Sequence, residues 1–275
     1  MKHTSLVAAM LATLAASGSA MATGLVTLPA TGFAVPGGTS AYATCNLTGD
    51  FGSLESTPPT FSPNGGANNT CAVPSNNPPV SGYSLVVSTP RNIRINNITI
   101  GTVTDQVWRN AAGTSCVYAA KIRLNNVDYN PSSAGTQYFE VNDFKRAGFR
   151  NRGPVSAGYN FVTRGGSASD EVLFRVGLTS TSVAHVAGST VAQPLTSVAP
   201  ISDNWVDFTS DVNFMDPDGS SMRDSSWFYV QSGCTSATPA AVTGALRFRQ
   251  TGQEGQPVVE ISVDGYAPAG ANTNQ

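Results

Sequence analysis

Residues Ser115 to Leu124 read SCVYAAKIRL, and this stretch decides the fold class. Apolar side chains occupy every second position from Cys116 onward, while Lys121 and Arg123 lie between them. A two-residue period of this kind is typical of a β-strand that buries one face. The same alternation recurs at residues 172–178, 206–214, 246–249 and 259–264.

The candidate strands begin at Tyr83 and continue to near the end of the chain. They number about a dozen and are mostly about five to ten residues long, with turn residues between them, as in all-β sandwiches. The apolar phase slips across Asn96-Asn97, which predicts a bulge or a tight turn there. We therefore predict an all-β fold, namely a two-sheet antiparallel β-sandwich that is jelly-roll-like.

One short helix is predicted within this fold, at Asp143–Ala147. Asn142 can cap its N-terminus, and Gly148 can supply the left-handed residue that follows its C-terminus. Lys145 and Arg146 would then lie close to the negative end of the helix dipole, where positive charge is favourable.

The first 22 residues have the form of an export leader. Lys2 and His3 supply a positive start, an apolar run extends from Leu6 to Ala16, and residues 20–22 form an A-x-A cleavage site. The apolar run is too short for a transmembrane helix, which needs about 20 residues. We expect a secreted, periplasmic or cell-surface protein with a cleaved signal peptide and no membrane span.

After the leader, residues 23–80 are rich in Gly, Pro, Ser, Thr and Asn and poor in large apolar side chains. Such a segment has few residues that could form a core, so we predict an irregular, extended N-terminal arm with one short strand near Gly24–Leu28. The sandwich domain is expected at 81–268, and a disordered polar tail at 269–275.

Four cysteines, Cys45, Cys71, Cys116 and Cys234, predict two disulfides, because an even number in an exported chain is typical of a disulfide framework. The sequence allows more than one pairing. We favour Cys45–Cys71 and Cys116–Cys234, since the first two lie in one segment rich in Gly, Pro and Asn. The spacing fits no zinc pattern.

The charge content limits the classes of partner. Charged residues make up 12% of the chain and the formal net charge is −2. A chain so nearly neutral has no overall field that would attract nucleic acid or an anionic membrane surface. We expect the partner to be an extracellular or envelope protein or a glycan surface, and not nucleic acid.

Six aspartates occur between residues 203 and 224. Their side chains could bind a structural calcium ion, since Ca²⁺ takes six to eight oxygen ligands. The loop Asp216-Pro217-Asp218-Gly219 is equally a turn signature, and both interpretations stay open. The same aspartates could include the two carboxylates of a glycosidase. The candidate calcium ligands are Asp211, Asp216, Asp218 and Asp224.

Basic residues concentrate between Lys145 and Arg152, interleaved with aromatic residues. Such a group could form a pocket for an anionic glycan or an acidic protein surface, although many such stretches are solvated loops. Trp205 lies out of phase with its apolar neighbours, so it is our candidate for an exposed ring that stacks on a sugar. The candidate ligand-binding residues are Arg146, Arg150, Arg152 and Trp205.

No catalytic residue is predicted. His185 is the only histidine after the leader, and no G-x-S-x-G motif accompanies it, which argues against a serine hydrolase. We expect a non-enzymatic β-sandwich of the extracellular space or cell envelope that acts by surface binding, as a matrix, adhesion or structural component. The alternative is a polysaccharide-binding module or a glycoside-active enzyme that uses the Asp203–Asp224 aspartates. Apart from calcium, no cofactor is expected.

Overall fold

The computed structural model describes residues 24–35, 38–46, 70–160, 163–164, 167–168, 170–181, 200–215, 222–251 and 257–273, so the predicted leader lies outside the described residues. Within these ranges the chain is all-β and has no helix. The strands are β1 (Val26–Leu28), β2 (Phe33–Val35), β3 (Gly38–Ser40), β4 (Tyr42–Thr44), β5 (Tyr83–Ile95), β6 (Ile98–Asn110), β7 (Ser115–Leu124), β8 (Glu140–Ala147), β9 (Val155–Asn160), β10 (Thr163–Arg164), β11 (Ser167–Ala168), β12 (Arg175–Gly177), β13 (Trp205–Asn213), β14 (Trp227–Gly233), β15 (Ala241–Gln250) and β16 (Val259–Tyr266).

Two antiparallel sheets of six strands each carry the fold. Sheet I has the strand order β1-β9-β14-β7-β6-β5, and sheet II has the order β16-β15-β8-β13-β12-β4. The short pairs β2–β3 and β10–β11 form separate two-stranded sheets. Because both large sheets contribute buried side chains to one apolar cluster, the predicted two-sheet antiparallel sandwich is confirmed.

Strand β7 spans Ser115–Leu124, as its alternation predicts. Its other face is not fully solvated, because Val117 and Ala119 belong to a second, smaller apolar cluster on the outside of sheet I. Strand β7 is therefore buried on both faces along most of its length. The residues of β7 that face the core between the sheets are Cys116, Tyr118, Ala120, Ile122 and Leu124.

Phenylalanine side chains join the two sheets at the centre of the core. Phe144 and Phe208 come from sheet II, and Phe228 comes from sheet I. The Phe228 ring centroid lies 5.9 Å from that of Phe144 and 5.1 Å from that of Phe208, with nearly parallel planes. Aromatic pairs of this kind contribute about 0.5–1.5 kcal/mol beyond the area they bury.

The helix predicted at Asp143–Ala147 is wrong, because these residues form the second half of β8. Strand β8 pairs with β13 on one side and with β15 on the other. Two sets of interstrand hydrogen bonds and the burial of Phe144 outweigh the local capping signals. Gly148 does adopt a left-handed conformation, with a φ of 109°, but it ends a strand.

The phase slip at Asn96-Asn97 coincides with the turn between β5 and β6. Asn96 has a φ of 53°, a left-handed conformation that asparagine tolerates better than most residues. The register also shifts between Ile93 and Arg94. The sequence therefore predicted the location of the irregularity, and both a tight turn and a bulge occur there.

The N-terminal arm contributes one edge strand to each large sheet. Strand β1 pairs with β9 in sheet I, where Val26 lies opposite Ala157. Strand β4 pairs with β12 in sheet II, where Ala43 lies opposite Val176. The arm therefore completes the sandwich and does not merely dock on it, and the short strand expected near Gly24–Leu28 is β1.

Both disulfides form with the favoured pairing. Cys45–Cys71 links the end of β4 to a later part of the arm. Cys116–Cys234 links the start of β7 to the residue that follows β14. Each bridge therefore joins a strand to a segment that is irregular at that point.

Residues 269–273, predicted as part of a disordered tail, are bonded to the body of the sandwich. Asn204 donates from Nδ2 to the Asn272 carbonyl oxygen at 2.7 Å. The Thr273 hydroxyl donates to the Thr243 carbonyl oxygen at 2.9 Å. The C-terminal segment is therefore fixed at least as far as Thr273.

Candidate functional site

Two of the predicted ligand-binding residues, Arg150 and Arg152, line a cleft of about 260 Å³, called here the arginine cleft. It lies between the loop that follows β8 and the segment that follows β16. Its lining comes from residues 148, 150–152, 204 and 270–272. The cleft therefore joins three segments that are far apart in the sequence.

The loop that forms one wall is anchored from the core side. Gly148 turns the chain, and a side chain there would place its Cβ 2.7 Å from the Cβ of Ala271. The Gly148 N–H donates to the Asn204 carbonyl oxygen at 2.9 Å. Phe149 is 1% exposed, and its ring packs edge-on against Tyr118 at 5.9 Å. These contacts fix the loop while Arg150 and the residues after it line the cleft.

The other wall is held by side chains that cross the cleft. Asn204 is 4% exposed and bonds the backbone of Asn272, as described above. The Arg152 guanidinium donates from Nη2 to the carbonyl oxygen of Ala269. Both walls are therefore fixed without a ligand, so binding would need little reorganisation.

The described lining residues of the cleft include Arg150, Arg152 and three asparagines, and none of them is acidic. Arg150 Nε lies 2.8 Å from Asp203 Oδ1, but both side chains are more than half exposed, so this ion pair is weak. Guanidinium groups bind carboxylates and sulfates through paired hydrogen bonds. The lining therefore suits a small anion that also carries hydroxyl groups.

The three amides, from Asn151, Asn204 and Asn272, were missed by sequence reasoning. Asn151 has a φ of 58° between the two arginines, so turn chemistry is a signal that could have marked it. Asn204 and Asn272 come from other segments, and no local pattern links them to the loop.

Arg146 does not reach the arginine cleft, because it shares the inward face of β8 with Phe144. Its guanidinium lies between the sheets, with Nη2 2.9 Å from Asp105 Oδ1 and Nη1 donating to the Tyr266 carbonyl oxygen at 2.6 Å. Both charged side chains are at most 1% exposed. Asp105 is also 2.9 Å from Arg91 Nε, so this carboxylate links strands of both sheets.

Trp205 is 0% exposed, so the expectation of an exposed ring is wrong. The guanidinium of Arg247 lies 4.3 Å from the centre of its ring. The alternation of β13 correctly placed Trp205 on the outward face of sheet II, but the residues of β13 are buried on that face as well. Trp108 is 5% exposed, and Trp227 on sheet I is the half-buried tryptophan.

A row of charged residues crosses the outward face of sheet II. Glu260 lies opposite Arg249, which lies opposite Asp143 on the next strand. Every residue of β8 and β13 is buried, on both faces of the sheet. We call this polar surface the charged face: Asp143, Lys145, Arg175 and Asp207 are its buried members, and Arg249 and Glu260 are its partly exposed members at the edge.

Asp207 on the charged face has an unusual environment. Burial, and then the nearby charge of Asp143, raise its pKa well above the ordinary carboxyl value. Its Oδ2 accepts a hydrogen bond from the Tyr42 hydroxyl at 2.9 Å. Lys145 lies directly opposite on β8, but its Nζ donates to the Ser180 carbonyl oxygen at 2.6 Å. Asp207 therefore keeps its proton at a pH at which most aspartates are ionised.

The candidate calcium ligands are not assembled among the described residues. Asp211 is buried on β13, whereas Asp224 lies 3.6 Å from the Arg123 guanidinium. Two aspartates of the set, at 216 and 218, and the histidine at 185 lie outside the described residues. In the described ranges no three acidic, cysteine or histidine side chains form a group that could hold a metal. The calcium site stays a prediction.

Within the described ranges, no helix has the length and apolarity needed to cross a membrane. Comparison with known proteins gives no match to a family model, a curated protein or a solved structure. The functional assignment therefore depends on the chemistry of the chain itself.

Proposed function

We propose that this protein is a non-enzymatic β-sandwich of the extracellular space or cell envelope that binds an acidic sugar of a surface glycan in the arginine cleft. The observation that carries the proposal is the lining, which includes two arginines and three asparagines and has no acidic residue among its described members. Two disulfides and the predicted leader support an oxidising compartment outside the cytosol. A matrix or adhesion role follows if the glycan is on a cell surface.

The size and polarity of the cleft favour a sugar over an acidic protein surface. At about 260 Å³ the cleft is smaller than the pockets of about 300–1,000 Å³ that take drug-sized ligands. Side-chain amides donate and accept hydrogen bonds, which matches the hydroxyl groups of a sugar ring. The guanidinium groups would bind its carboxylate or sulfate.

The test is a glycan array that contains matched acidic and neutral sugars, such as glucuronate and glucose. We expect binding of the acidic member, and loss of each charge-assisted bond in Arg150→Gln or Arg152→Gln should weaken it about 10- to 100-fold. Arg94→Gln is the matched control, since Arg94 is exposed on β5, away from the cleft. Equal binding of acidic and neutral sugars, or binding of acidic peptides alone, would contradict the proposal.

One observation favours the alternative of a glycoside-active enzyme. A glycosidase needs one protonated and one ionised carboxyl group, and Asp207 with its raised pKa lies on the same face as Asp143. Both side chains are buried, so a substrate could reach them only if the residues packed over them, such as Tyr42, moved away. Release of reducing sugar that is lost in Asp207→Asn would support this alternative.

A further inference from the structure

A second cleft, of about 200 Å³, adjoins the arginine cleft, and Gly270 lines both of them. We call it the apolar cleft. Hydrocarbon makes up a little more than half of its lining, which also includes Arg109, Thr235, Thr238 and the Cys116–Cys234 bridge. Residues that give it this character are Val107, Pro239, Ala240, Val242 and Ala267.

The partition between the two clefts is the backbone of the C-terminal segment. Arg152 bonds the carbonyl oxygen of Ala269 from the side of the arginine cleft. Its Nη2 would lie only 3.5 Å from a Cβ at Gly270. The Arg152 side chain is therefore next to Gly270, the residue that lines both clefts.

The outer wall of the apolar cleft is held in place. Arg109 donates from Nη1 to the Ser236 carbonyl oxygen at 3.1 Å and from Nη2 to the Ala237 carbonyl oxygen at 2.6 Å. The disulfide at Cys234 fixes the start of the same loop. The apolar cleft is therefore preformed, which lowers the entropy cost of binding.

Tyr118 lines the apolar cleft and supplies a polar group there. Burial raises the pKa of Tyr118 to about 12, although the charges of Arg146 and Arg152 lower it in part. The hydroxyl therefore stays protonated and can donate a hydrogen bond to a carbonyl oxygen.

We infer that the two clefts form one bipartite site for an acidic sugar that carries an acyl group. The carboxylate binds at Arg150 and Arg152, and the acyl group enters the apolar cleft, where Tyr118 can bond its carbonyl oxygen. The inference depends on the proposed function, since it names the sugar class that the arginine cleft selects. Two observations support the inference: the arginines of the arginine cleft complement a carboxylate, and the adjoining apolar cleft has a hydrocarbon surface for the acyl group.

The test is titration calorimetry with free sugars that differ in one group. The probes are N-acetylneuraminate and N-acetylmuramate, which have both groups, glucuronate, which has only the acid, and N-acetylglucosamine, which has only the acyl group. We expect the two sugars with both groups to bind about tenfold more tightly than glucuronate, from one buried methyl group and one added hydrogen bond.

A substitution in each cleft separates the contribution of the carboxylate to the affinity from that of the acyl group. Ala240→Gln should remove the tenfold advantage of the acyl sugars and leave glucuronate binding unchanged, because Ala240 is exposed and lines only the apolar cleft. Arg150→Gln should weaken every acidic sugar and keep the ratio between them. Ala241→Gln, at the next exposed position and outside both linings, is the matched control.

Equal affinity for glucuronate and the acyl sugars would overturn the bipartite site and leave the arginine cleft as an acidic-sugar site. Absence of any preference for acidic sugars would overturn both. Binding of a leucine-terminated peptide with a free carboxylate, and of none of these sugars, would also overturn both, because the occupant would then be a protein chain end.

Discussion

The outward faces of the two sheets meet their surroundings differently. On sheet I, strand β5 leaves most of its outward residues exposed, and Arg94 is one of them. On sheet II, strands β8 and β13 are buried on both faces, and Lys145 is only 1% exposed. Polar residues occupy outward positions on both sheets, for example Ser88 and Arg94 on β5 and Lys145 on β8. Alternation therefore tells which residues leave the core, and not whether they reach water.

The chemical character of the buried outward surface also differs between the two sheets. The buried part of the outward face of sheet I includes an apolar cluster, in which Trp108 and Tyr229 pack near Val73 of the N-terminal arm, and one ion pair between Lys121 and the buried Asp170. On sheet II the centre of the charged face is buried, with Asp207 hydrogen-bonded to Tyr42, and the ion pairs of Glu260 lie at its partly exposed edge. Buried charge contributes less net stability than buried hydrocarbon, but removal of one partner is costly.

Loss of one charge should therefore destabilise the protein much more on sheet II than on sheet I. Lys145→Met keeps most of the side-chain volume but leaves Glu260, 3.6 Å from Lys145 Nζ, and the nearby aspartates less compensated. We expect a loss of about 3–5 kcal/mol in the free energy of unfolding. Arg94→Met on sheet I should change it by less than about 0.5 kcal/mol. Urea unfolding of both variants measures the difference, and similar losses would remove the contrast between the faces.

The pH dependence of stability sharpens the same contrast. Because the pKa of Asp207 is raised in the folded state, the native protein binds more protons than the unfolded chain above about pH 4. Stability should therefore fall as the pH rises through the raised pKa, by at most about 1.4 kcal/mol per pH unit. Asp207→Asn should flatten this fall, whereas Asp264→Asn at an exposed position of β16 should not. Unfolding measured between about pH 5 and 9 checks it. A parent curve that rises with pH over this range would contradict the environment described for Asp207.

The smallest expected effect concerns the tryptophans. Trp227 on sheet I is half-buried, whereas Trp205 on sheet II has no exposed surface. Trp227→Phe should therefore remove most of the fluorescence that acrylamide quenches, and Trp205→Phe should leave the quenched fraction nearly unchanged. Preferential loss of quenching in Trp205→Phe would mean that the charged face is open in solution.

The alternating stretches predicted strands and their inward faces well. The bounds of β7 and the irregularity at Asn96 follow from the sequence, because a period of two and the backbone tolerance of asparagine are local properties. The stretch at 172–178 was less informative, since only Arg175–Gly177 pairs as β12. The helix prediction at β8 failed for a related reason. Capping residues indicate the conformation that an isolated segment prefers, and they carry no information on the hydrogen bonds that β13 and β15 make with β8.

The candidate site was only partly predictable. Arg150 and Arg152 stand out in a chain with few charges, and the structure places both in one cleft. Arg146 has the same local signal, yet its position on the inward face of β8 pairs it with Asp105. Asn204 and Asn272 carry no signal at all, since their proximity depends on contacts between distant segments.

The sequence by itself determined the class of fold and the inward face of the clearly alternating strands, such as β7, and it favoured the cysteine pairing that forms. Those properties follow from periodicity and chain proximity, which any short window contains. Only the tertiary structure decided that β8 and β13 are buried on the outward face of sheet II as well as on the inward face, and that Gly270 lines both clefts. The physical reason is that burial and cleft shape depend on which remote segments pack together.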